Sequence, residues 1–206
     1  MLPGFFQGTG MPEPCFWDAL WPDPAKVIRD VGIQAGMIVV DLCSGDGLFT
    51  LQLCKIAREV IAIDIDGRLL ERARVRLAES GLTNCVFIEA NAYDISKVVR
   101  NRVDYVFLAN VFHGVPDRPR LARAVHDVMK PGGLFAVVNW HALPREKTTV
   151  LGEPRGPATE LRMTPEETIA AVRSSRFAFL RQIEVPPYHY AAVFKCRSEG
   201  AATKDG

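Results

Sequence analysis

Two apolar segments of this chain each lead into an aspartate, and two closely spaced glycines lie between them. The segment 37–40 precedes Asp41, and a second apolar run ends in Asp64. Short runs rich in β-branched residues are typical of buried strands. Gly45 and Gly47 predict a tight turn into a helix, which brings backbone N–H groups and the positive helix end close to a ligand. Because an acidic side chain that ends the second strand can accept hydrogen bonds from a ribose diol, the pattern predicts a ligand that contains a nucleoside.

The spacing of the glycines separates the known kinds of nucleotide-binding turn. A dinucleotide-binding turn has the pattern G-x-G-x-x-G, but Thr50 occupies the third glycine position here. A phosphate-binding loop would need Gly-Lys-Ser or Gly-Lys-Thr, which does not follow this turn. The segment 41–47, Asp-Leu-Cys-Ser-Gly-Asp-Gly, instead resembles the first motif, D/E-x-G-x-G-x-G, of class I S-adenosylmethionine-dependent methyltransferases. It departs from that motif at Cys43, where the first glycine is usual, and an ordinary βα turn of another α/β protein is the alternative.

A second block of resemblance covers the middle of the chain. The segment 103–110 predicts a strand. The following Val-Phe-His-Gly-Val-Pro-Asp at 111–117 is similar to N-V-L-H-H-V-P-D, which follows the fourth strand in methyltransferases of the ubiquinone/menaquinone-biosynthesis type. An amphipathic pattern over 121–129 predicts a helix. It ends in Lys-Pro-Gly-Gly at 130–133, a stop that in this family leads into the fifth strand, here 134–140. The resemblance is therefore to the small-molecule branch of these enzymes.

The order of the predicted elements defines the fold class. Strands alternate with helical patterns up to the fifth strand, and a final pair of strands, 177–185 and 188–196, is joined at Pro186-Pro187. We expect an α/β fold with a Rossmann-like doubly wound sheet of about seven strands. The sheet is mostly parallel with an antiparallel C-terminal strand, and helices lie on both faces. We expect one methyltransferase domain over residues 24–197.

Three segments differ in character from this domain pattern. Residues 1–23 are rich in aromatic residues, glycine and proline. They form either an arm packed on the domain or a lid over the ligand cleft, for which Trp17 and Trp21 are suited. Residues 141–163 show no clear period and follow the fifth strand on the ligand side of the sheet, so we interpret them as a substrate-specificity insertion, with a disordered surface loop as the alternative. Residues 198–206 predict a flexible polar tail.

The resemblance implies S-adenosylmethionine as the cofactor and a set of residues around it. The implied cofactor-binding residues are Asp41, Ser44, Gly45, Gly47, Asp64, Ile65, Asn91, Ala92 and Asn110. By the family pattern, Ser44, Gly45 and Gly47 surround the amino-acid end of the cofactor. Asp41 orients the ammonium group there, directly or through water, and the backbone at Asn110 lies near the methionine part.

The resemblance assigns the binding of the adenosine half of the cofactor to residues at the ends of the second and third strands. The resemblance implies that Asp64 binds the ribose diol and that Ile65 lies against the adenine. The third strand of the family commonly ends in G-D-A, whose acidic side chain meets the exocyclic amine of adenine, whereas this chain has Ala90-Asn91-Ala92. Asn91 can still accept from the amine through its side-chain oxygen. The backbone N–H of Ala92 would meet a ring nitrogen.

Methyl transfer from a sulfonium is an in-line displacement with an already activated donor. The protein has mainly to hold an electron-rich acceptor against the methyl carbon and to exclude water, so we expect neither a catalytic triad nor a metal ion. If the acceptor loses a proton, neutral histidine is the usual general base near pH 7. His113 after the fourth strand and His141 after the fifth are the candidate catalytic residues. His189, just past the last turn, is a third candidate.

The bulk composition argues against several classes of partner. The net charge is +1, so no strong field attracts nucleic acid or an anionic membrane surface. No apolar run approaches the roughly 20 residues of a membrane span. We therefore expect a small-molecule acceptor, with neither nucleic acid nor a membrane as partner. The five cysteines include no C-x-x-C pair, which predicts reduced thiols and a cytoplasmic protein.

Three alternative functions were weighed against methyl transfer to a small molecule. Pro186-Pro187-Tyr188 resembles the D/N-P-P-Y signature of enzymes that methylate amines of nucleic acids. It lacks the preceding Asp or Asn and lies in the final hairpin, so we reject that function. A non-catalytic S-adenosylmethionine-binding or partner protein on the same fold stays open because of Cys43 and Asn91. An NAD-type oxidoreductase is disfavoured by the missing third glycine.

Overall fold

The centre of the fold is a seven-stranded sheet in the computed structural model, which describes residues 4–197. The strands are β1 (Ile38–Leu42), β2 (Glu59–Asp64), β3 (Cys85–Glu89), β4 (Val103–Ala109), β5 (Met129–Trp140), β6 (Thr149–Val150), β7 (Glu153–Pro154), β8 (Phe177–Val185) and β9 (His189–Cys196). The order across the sheet is β3-β2-β1-β4-β5-β9-β8, and β6 pairs separately with β7. Strands β1 to β5 of this sheet run parallel, whereas β9 is antiparallel to both β5 and β8. The predicted fold class is confirmed.

Helices cover both faces of the sheet. They are α1 (Pro14–Leu20), α2 (Pro24–Asp30), α3 (Leu48–Cys54), α4 (Gly67–Glu79), α5 (Ile95–Val98), α6 (Arg118–Val128) and α7 (Pro165–Arg173). Helices α1 to α4 contribute to one buried apolar cluster and α5 to α7 to the other. Val39 belongs to the first cluster and Val40 to the second, because successive strand side chains point to opposite faces. Within residues 4–197, no helix is long and apolar enough to cross a membrane.

The winding of the chain reverses between β1 and β4. From β1 the chain moves outward through β2 and β3, and it then returns to build β4 and β5 on the other side. Parallel pairing aligns Asp41 with Ala62 on one side and with Phe107 on the other, so the carboxyl ends of β1, β2 and β4 lie side by side. Doubly wound sheets bind their ligands at such a point, outside the carboxyl ends of the strands. The candidate residues of the first two strands therefore share one edge of the sheet.

One expected element boundary is wrong, and one apolar pattern extends beyond its helix. β5 begins at Met129, so the Lys-Pro-Gly-Gly segment is the irregular first part of the strand, where the register against β4 shifts between Val103 and Tyr105. The apolar pattern of the helix after the glycine turn extends to Ala57, but α3 ends at Cys54. The N–H of Ala57 still donates to the carbonyl of Leu53 at 2.8 Å. Burial of this closing turn prolongs the apolar pattern beyond the helix itself.

The two segments without a sequence period contain short regular elements. The N-terminal segment includes α1, whose Phe16 and Leu20 are buried. The insertion includes the β6–β7 pair and two turns of 3-10 helix, at Arg145–Lys147 and Thr159–Leu161. Elements this short produce too few repeats to be seen as a period. The expected flexible tail, 198–206, lies outside the described residues.

Helix α7 begins with a reciprocal capping box, as its sequence predicts. The N–H of Glu167 donates to Thr164 Oγ1 (3.2 Å), and the N–H of Thr164 donates to Glu167 Oε2 (2.8 Å). We expect Thr164→Ala to lower the free energy of unfolding by about 1 kcal/mol, because one N–H of the first turn loses its acceptor. Urea denaturation followed by circular dichroism measures this change. Thr149→Ala, at an exposed threonine, is the control and should stay within about 0.5 kcal/mol of wild type; equal stability of the two variants would contradict the prediction.

Candidate active site

A cavity of about 280 Å³ lies at the carboxyl ends of β1, β2 and β4. It is lined by the loops after these strands, by most of residues 4–12 and by residues 145 and 155–157 of the insertion. Its size is near the lower end of the range for small-molecule sites. The residues predicted from sequence that line it are Asp41, Ser44, Gly45, Asp64, Ile65, Ala92, Asn110 and His113. The fold thus brings most of the predicted cofactor residues and one candidate base to a single cavity.

The glycine turn after β1 is fastened to the end of β2. The N–H of Ser44 donates to the carbonyl of Ile63 (3.0 Å), and the N–H of Gly45 donates to Asp64 Oδ2 (2.8 Å). Cys43 has a φ of +60°, which is strained for any residue with a Cβ. Burial holds the pKa of its thiol well above the usual value. The family pattern has glycine at this position because glycine adopts a positive φ without strain. Cys43 adopts the same conformation and lowers stability by doing so.

Asp64 ends β2 with both carboxylate oxygens engaged. Oδ2 accepts from the N–H of Gly45 (2.8 Å), and Oδ1 accepts from the N–H of Asp66 (2.9 Å). Burial raises the pKa of Asp64, and the charge of Asp66 adds to this, while the backbone N–H groups oppose it. Each carboxylate oxygen has two lone-pair positions. The carboxylate can therefore accept from a diol in addition to the two backbone donors.

Asp41, at the end of β1, is 3% exposed. Its Oδ2 accepts a hydrogen bond of 2.6 Å from Thr50 Oγ1. Burial raises the pKa of Asp41 to about 7; the bond from Thr50 lowers it, and the charge of Asp64 raises it further. At neutral pH this carboxyl group is divided between its two forms, and a cation beside it would favour ionisation. Thr50 thus has a polar role at the position where a dinucleotide-binding turn has glycine.

Two further polar atoms of the cavity-lining residues indicate a polar ligand. Ser44 Oγ and Asn110 Oδ1 are buried and have no hydrogen-bond partner in the described part of the chain. Asn110 follows β4 with a φ of +61°, and its N–H is fixed by the carbonyl of Val138 (2.9 Å). Buried polar atoms are nearly always hydrogen-bonded. With the carboxylates of Asp41 and Asp64, this set of atoms fits a cofactor that carries both an amino-acid group and a ribose.

The N-terminal arm, residues 4–12, crosses the cavity. The side chain of Phe6 is buried, and the carbonyl oxygen of Gly8 lies 3.1 Å from His113 Nε2. Further along, Met11 Sδ lies so near Gly45 that a Cβ on that glycine would be 3.1 Å from the sulfur. The arm therefore contacts both the glycine turn after β1 and the loop after β4. Neither contact could be deduced from a local sequence pattern.

His113 is held between the arm and β5. Its Nδ1 lies 3.1 Å from Asn139 Oδ1 and its Nε2 lies 3.1 Å from the carbonyl of Gly8. Burial lowers the pKa of His113, so the ring is neutral and carries one N–H. Because the Gly8 carbonyl can only accept, Nε2 carries the proton and Nδ1 must accept. If the Asn139 amide is turned by 180°, its Nδ2 can donate to His113 Nδ1. This orientation also gives Asn139 Nδ2 a partner, which it otherwise lacks among the described residues although it is buried.

Two predicted cofactor residues lie outside the cavity lining. Gly47 is the N-cap residue of α3, has a φ of +86° and faces Ala73 of α4. The side chain of Asn91 is turned into its own loop, where Oδ1 accepts from the N–H of Tyr93 (3.0 Å) and caps a turn of 3-10 helix. Asparagine favours such local bonds to the backbone. The structure thus places the expected adenine-binding oxygen in a backbone turn.

Two candidate bases also lie outside the lining. The backbone of His141 continues the pairing of β5 with β9 through its N–H, which donates to Tyr188 (2.9 Å), and its Nε2 pairs with Glu184 Oε2 at 2.9 Å. His189 lies between the indoles of Trp21 and Trp140, with ring centroids at 4.7 and 4.1 Å. Burial keeps the pKa of His189 well below its usual value. Of the three histidines, His113 alone lines the cavity.

Several lining residues have no individual role predicted from the sequence. They include Phe49 and Trp140, the residues of the arm, which lies in the segment expected to be either a packed arm or a lid, and Arg145 and Arg155, which lie in the expected specificity insertion. The glycines of the arm are an available signal, since Gly4 and Gly8 have positive φ and approach side-chain atoms of other segments closely. The arginines carry no such signal, because surface arginines are common in loops.

The reversed sheet order, the glycine turn and the paired aspartates define the S-adenosylmethionine-dependent methyltransferase class of Rossmann-like folds. A family model described as a methyltransferase domain matches residues 33–167 of this sequence. The chain belongs to this methyltransferase family. The resemblance stated from the sequence motifs is thereby confirmed.

Relatives and solved structures agree with this assignment. The demethylmenaquinone methyltransferase of Lactococcus lactis is 29% identical over 112 residues, covering 53% of this chain and 44% of the relative. A ubiquinone/menaquinone biosynthesis C-methyltransferase of a Shewanella species is 30% identical over 113 residues, covering 53% and 45%. The chain thus spans less than half the length of these relatives. A SAM-dependent methyltransferase from Aquifex aeolicus (TM-score 0.75, 24% identity, 89% and 93% covered) and the cyclase SpnF (TM-score 0.69, 15% identity, 84% and 81% covered) share the fold.

Proposed function

We propose that the protein binds S-adenosylmethionine in this cavity and transfers the methyl group to a small-molecule acceptor, with S-adenosylhomocysteine as the product. The observation that supports this most directly is that Asp41, Asp64, Ser44 and Asn110 all line one cavity, and that Ser44 Oγ and Asn110 Oδ1 are buried without a partner among the described residues. The bound cofactor supplies a methyl group that is already activated on a sulfonium sulfur. The protein then contributes binding, orientation and exclusion of water.

The lining residues at the ends of β1, β2 and β4 hold the cofactor in this proposal. Asp64 accepts from the ribose hydroxyls, and Ile65 packs against the adenine. Asp41 attracts the ammonium group of the methionine part, while Ser44 Oγ and Asn110 Oδ1 provide the remaining polar contacts there. Asp41 accepts a hydrogen bond from Thr50, and Asp64 accepts one from the glycine turn, so both carboxylates are oriented before a ligand binds. Such preorganisation increases affinity, because little order is lost on binding.

The arm and His113 serve the acceptor. The arm covers the cavity as a lid and keeps water away, and an opening of its residues admits the acceptor. In the closed arrangement His113 Nε2 faces the Gly8 carbonyl. When an acceptor hydroxyl or amine replaces this carbonyl with the arm open, the ring takes its other neutral tautomer, in which Nδ1–H donates to Asn139 Oδ1. Nε2, now without a proton, then accepts the proton of the acceptor. His113 is thus the proposed general base, and His141 remains at the rim, paired with Glu184.

Calorimetric titration of S-adenosylmethionine and S-adenosylhomocysteine tests the proposal, with NAD as the control ligand. Micromolar binding of both sulfur compounds, with NAD at least about tenfold weaker (1.4 kcal/mol), is the expected result. Absence of binding by the wild-type protein would contradict an S-adenosylmethionine-dependent function. Incubation with methyl-labelled cofactor and pooled small molecules then identifies acceptors by the label they gain.

The affinity for S-adenosylhomocysteine should depend on pH through Asp41. The pKa of Asp41 is raised to about 7, and the ammonium group of the ligand binds the ionised carboxylate. Between pH 7 and pH 5.5 protonation removes this charge, so we expect the affinity to fall about tenfold as the pH is lowered. The amino group of the ligand stays protonated throughout this interval. Calorimetry at several pH values measures the trend, and Asp41→Asn should bind weakly at every pH; an unchanged slope in that variant would assign the effect to another group.

A non-catalytic role on the same fold is the second candidate. Cys43 and Asn91 motivate it, because both depart from the family pattern at the positions proposed for the cofactor. Binding of S-adenosylhomocysteine without label transfer to any acceptor would favour this role. We further propose a cytoplasmic location, because the five cysteines are free thiols. We also propose that the acceptor is a small molecule, because the arm crosses the cavity and limits the space for a larger one.

A further inference from the structure

Three arginines of the insertion lie together on the β5 side of the cavity. Arg145 and Arg155 line it, and Arg162 lies directly behind the lining residue Gly156, on which a Cβ would be 3.0 Å from Arg162 Nη2. We call Arg145, Arg155 and Arg162 the arginine cluster. Asp41 and Asp64 belong to β1 and β2, on the other side of β4 in the sheet. The cavity therefore has acidic groups on its cofactor side and basic groups on its β5 side.

Arg162 is buried without a carboxylate partner. It is 6% exposed, and it donates to Pro157 (3.1 Å), to Thr148 Oγ1 (2.8 Å) and to the carbonyl of Arg155 (2.9 Å). Its guanidinium also lies 5.1 Å from the ring centroid of Trp140. These contacts hold the insertion together, but Nη1 is buried and has no partner within residues 4–197. A buried cation with an unused donor is expensive unless an anion lies close by.

Arg155 has the same deficiency. Its Nε is buried and unpartnered among the residues that the structure describes. Its Nη1 is 3.9 Å from Glu13 Oε2, and that carboxylate side chain is 69% exposed, so the pair is a weak one. The guanidinium lies 6.0 Å from the ring centroid of Phe16. Arg155 is thus free to turn its donors toward a ligand.

The charges around the cluster repel one another. Burial lowers the pKa of Arg162, the charge of Arg145 lowers it further, and the exposed Glu146 opposes this only in part. The charge of Arg162 also contributes to lowering the pKa of the neighbouring His113, after the larger effect of burial. In the described part of the chain, no Asp or Glu of the insertion or of β5 lines the cavity. The cluster therefore presents a positive potential on the β5 side of the cavity, where no described carboxylate of the insertion or of β5 lines the wall.

Aromatic rings surround the approach to the cluster. Phe16 and Trp17 of α1 and Trp140 of β5 line the cavity beside the arginines. Trp17 Nε1 is a further buried donor without a partner in residues 4–197. Rings of this kind bury the flat apolar body of a small molecule, and guanidinium groups bind carboxylates and phosphates through two parallel hydrogen bonds.

We propose that the methyl acceptor is an organic anion, whose carboxylate or phosphate group is bound by the arginine cluster while its apolar, ring-sized body lies among Phe16, Trp17 and Trp140. The identity of the occupant as the acceptor rests on the proposed function. The anion-binding site itself rests only on the arginines. The acceptor atom then lies between the cluster and the cofactor side of the cavity, within the region that His113 borders.

The test uses four probes that each contain one phenyl ring. Each probe is titrated calorimetrically into protein saturated with S-adenosylhomocysteine. The probes are phenylacetate, phenyl phosphate, phenylacetamide and benzyl alcohol. We expect one of the two anions to bind at least about tenfold more tightly than both neutral probes, and the preferred anion identifies the group as carboxylate or phosphate. Arg155→Gln should weaken the preferred anion about tenfold and leave the neutral probes within about twofold.

The control is Arg123→Gln, which removes the same charge from the exposed face of α6 and should leave all four affinities unchanged. If circular dichroism shows that Arg155→Gln is misfolded, Arg145→Gln is used as the second variant. Equal binding of anions and neutral probes, binding of no probe, or wild-type anion affinity in both variants would overturn the proposal. If S-adenosylhomocysteine itself does not bind, the proposed function fails. The probes are then titrated into ligand-free protein, where an anion preference lost in Arg155→Gln still supports the anion site, and its absence overturns it.

Discussion

Replacing Asp64 with alanine should weaken the binding of S-adenosylhomocysteine about 100-fold, or ~3 kcal/mol. The proposed contact consists of two ribose hydroxyls that donate to one carboxylate, and a hydrogen bond to a charged group contributes about 1.5–3 kcal/mol. The variant also releases the N–H of Gly45, which the carboxylate holds at 2.8 Å. Both effects act in the same direction, because the turn is then less well ordered for the ligand. Calorimetric titration measures the change directly.

A matched control for this variant lies at the opposite edge of the sheet. Asp104, near the start of β4, also accepts from a backbone N–H, that of Ile38 (2.8 Å), and from Lys130 Nζ (2.6 Å). Asp104→Ala removes a carboxylate of similar structural function, so it should lower stability but leave the affinity for S-adenosylhomocysteine within about twofold. If both variants lost affinity equally, the effect of Asp64 would be a general loss of order. Wild-type affinity in Asp64→Ala would remove the ribose contact from the proposal.

Replacing Gly47 with alanine should lower the free energy of unfolding by about 2–5 kcal/mol. The backbone there has a φ of +86°, which costs a residue with a Cβ about 1–2 kcal/mol. A Cβ would also lie 2.7 Å from Ala73 Cβ and 3.1 Å from Ala73 Cα, and the resulting overpacking of α4 adds about 1–3 kcal/mol. Urea denaturation of the ligand-free protein measures the sum.

The two contributions at Gly47 can be separated. Gly36 has nearly the same φ, +85°, but a Cβ there would meet no atom within 4 Å. Gly36→Ala should therefore cost only the backbone strain, about 1–2 kcal/mol. Gly47→Ala should destabilise the protein less in an Ala73→Gly background than in the wild type, because the contact with Ala73 Cβ is then absent. Ala73→Gly alone is the reference, since glycine inside α4 lowers stability by itself. Equal losses in the two single variants would show that helix packing does not require glycine at this position.

Gly45 and Gly47 belong to the same motif but have different structural roles. In the sequence, Gly45 and Gly47 are equivalent members of one glycine pattern, and both were expected to contact the cofactor. In the structure Gly45 lines the cavity and Gly47 faces α4. One glycine is therefore placed for a ligand and the other for the close packing of α3 against α4. The pattern alone cannot distinguish these uses, because both require the absence of a Cβ.

Elements defined by neighbouring residues were predictable from the sequence. The apolar runs of β1, β2 and β4, the aspartates that end β1 and β2, and the capping box at Thr164 each depend on residues a few positions apart. Their physical causes, alternating burial and local hydrogen bonds, act over the same short range. The sheet topology followed because such elements, in this order, have few ways to pack.

The loop after β3 and the histidines show what local reasoning cannot decide. Asn91 and His141 have suitable side chains at suitable chain positions, but nearby groups, the N–H of Tyr93 and the carboxylate of Glu184, engage them. By sequence His113 and His141 are equal candidates, and the fold distinguishes His113 by placing it beside Gly8, 105 residues earlier in the chain. Side-chain orientation depends on such partners, and they leave no period in the sequence.

The sequence by itself determined the class of fold, the glycine turn and the two aspartates at the carboxyl ends of β1 and β2, because all of these arise from local pattern and from strand order. Only the tertiary structure decided that the N-terminal arm crosses the cavity and that Arg145, Arg155 and Arg162 gather on its β5 side. These groups come from segments without regular period, and their positions are set by packing against distant strands. Chain segments far apart in sequence meet only when the whole domain is folded, so their shared chemistry becomes visible at that level alone.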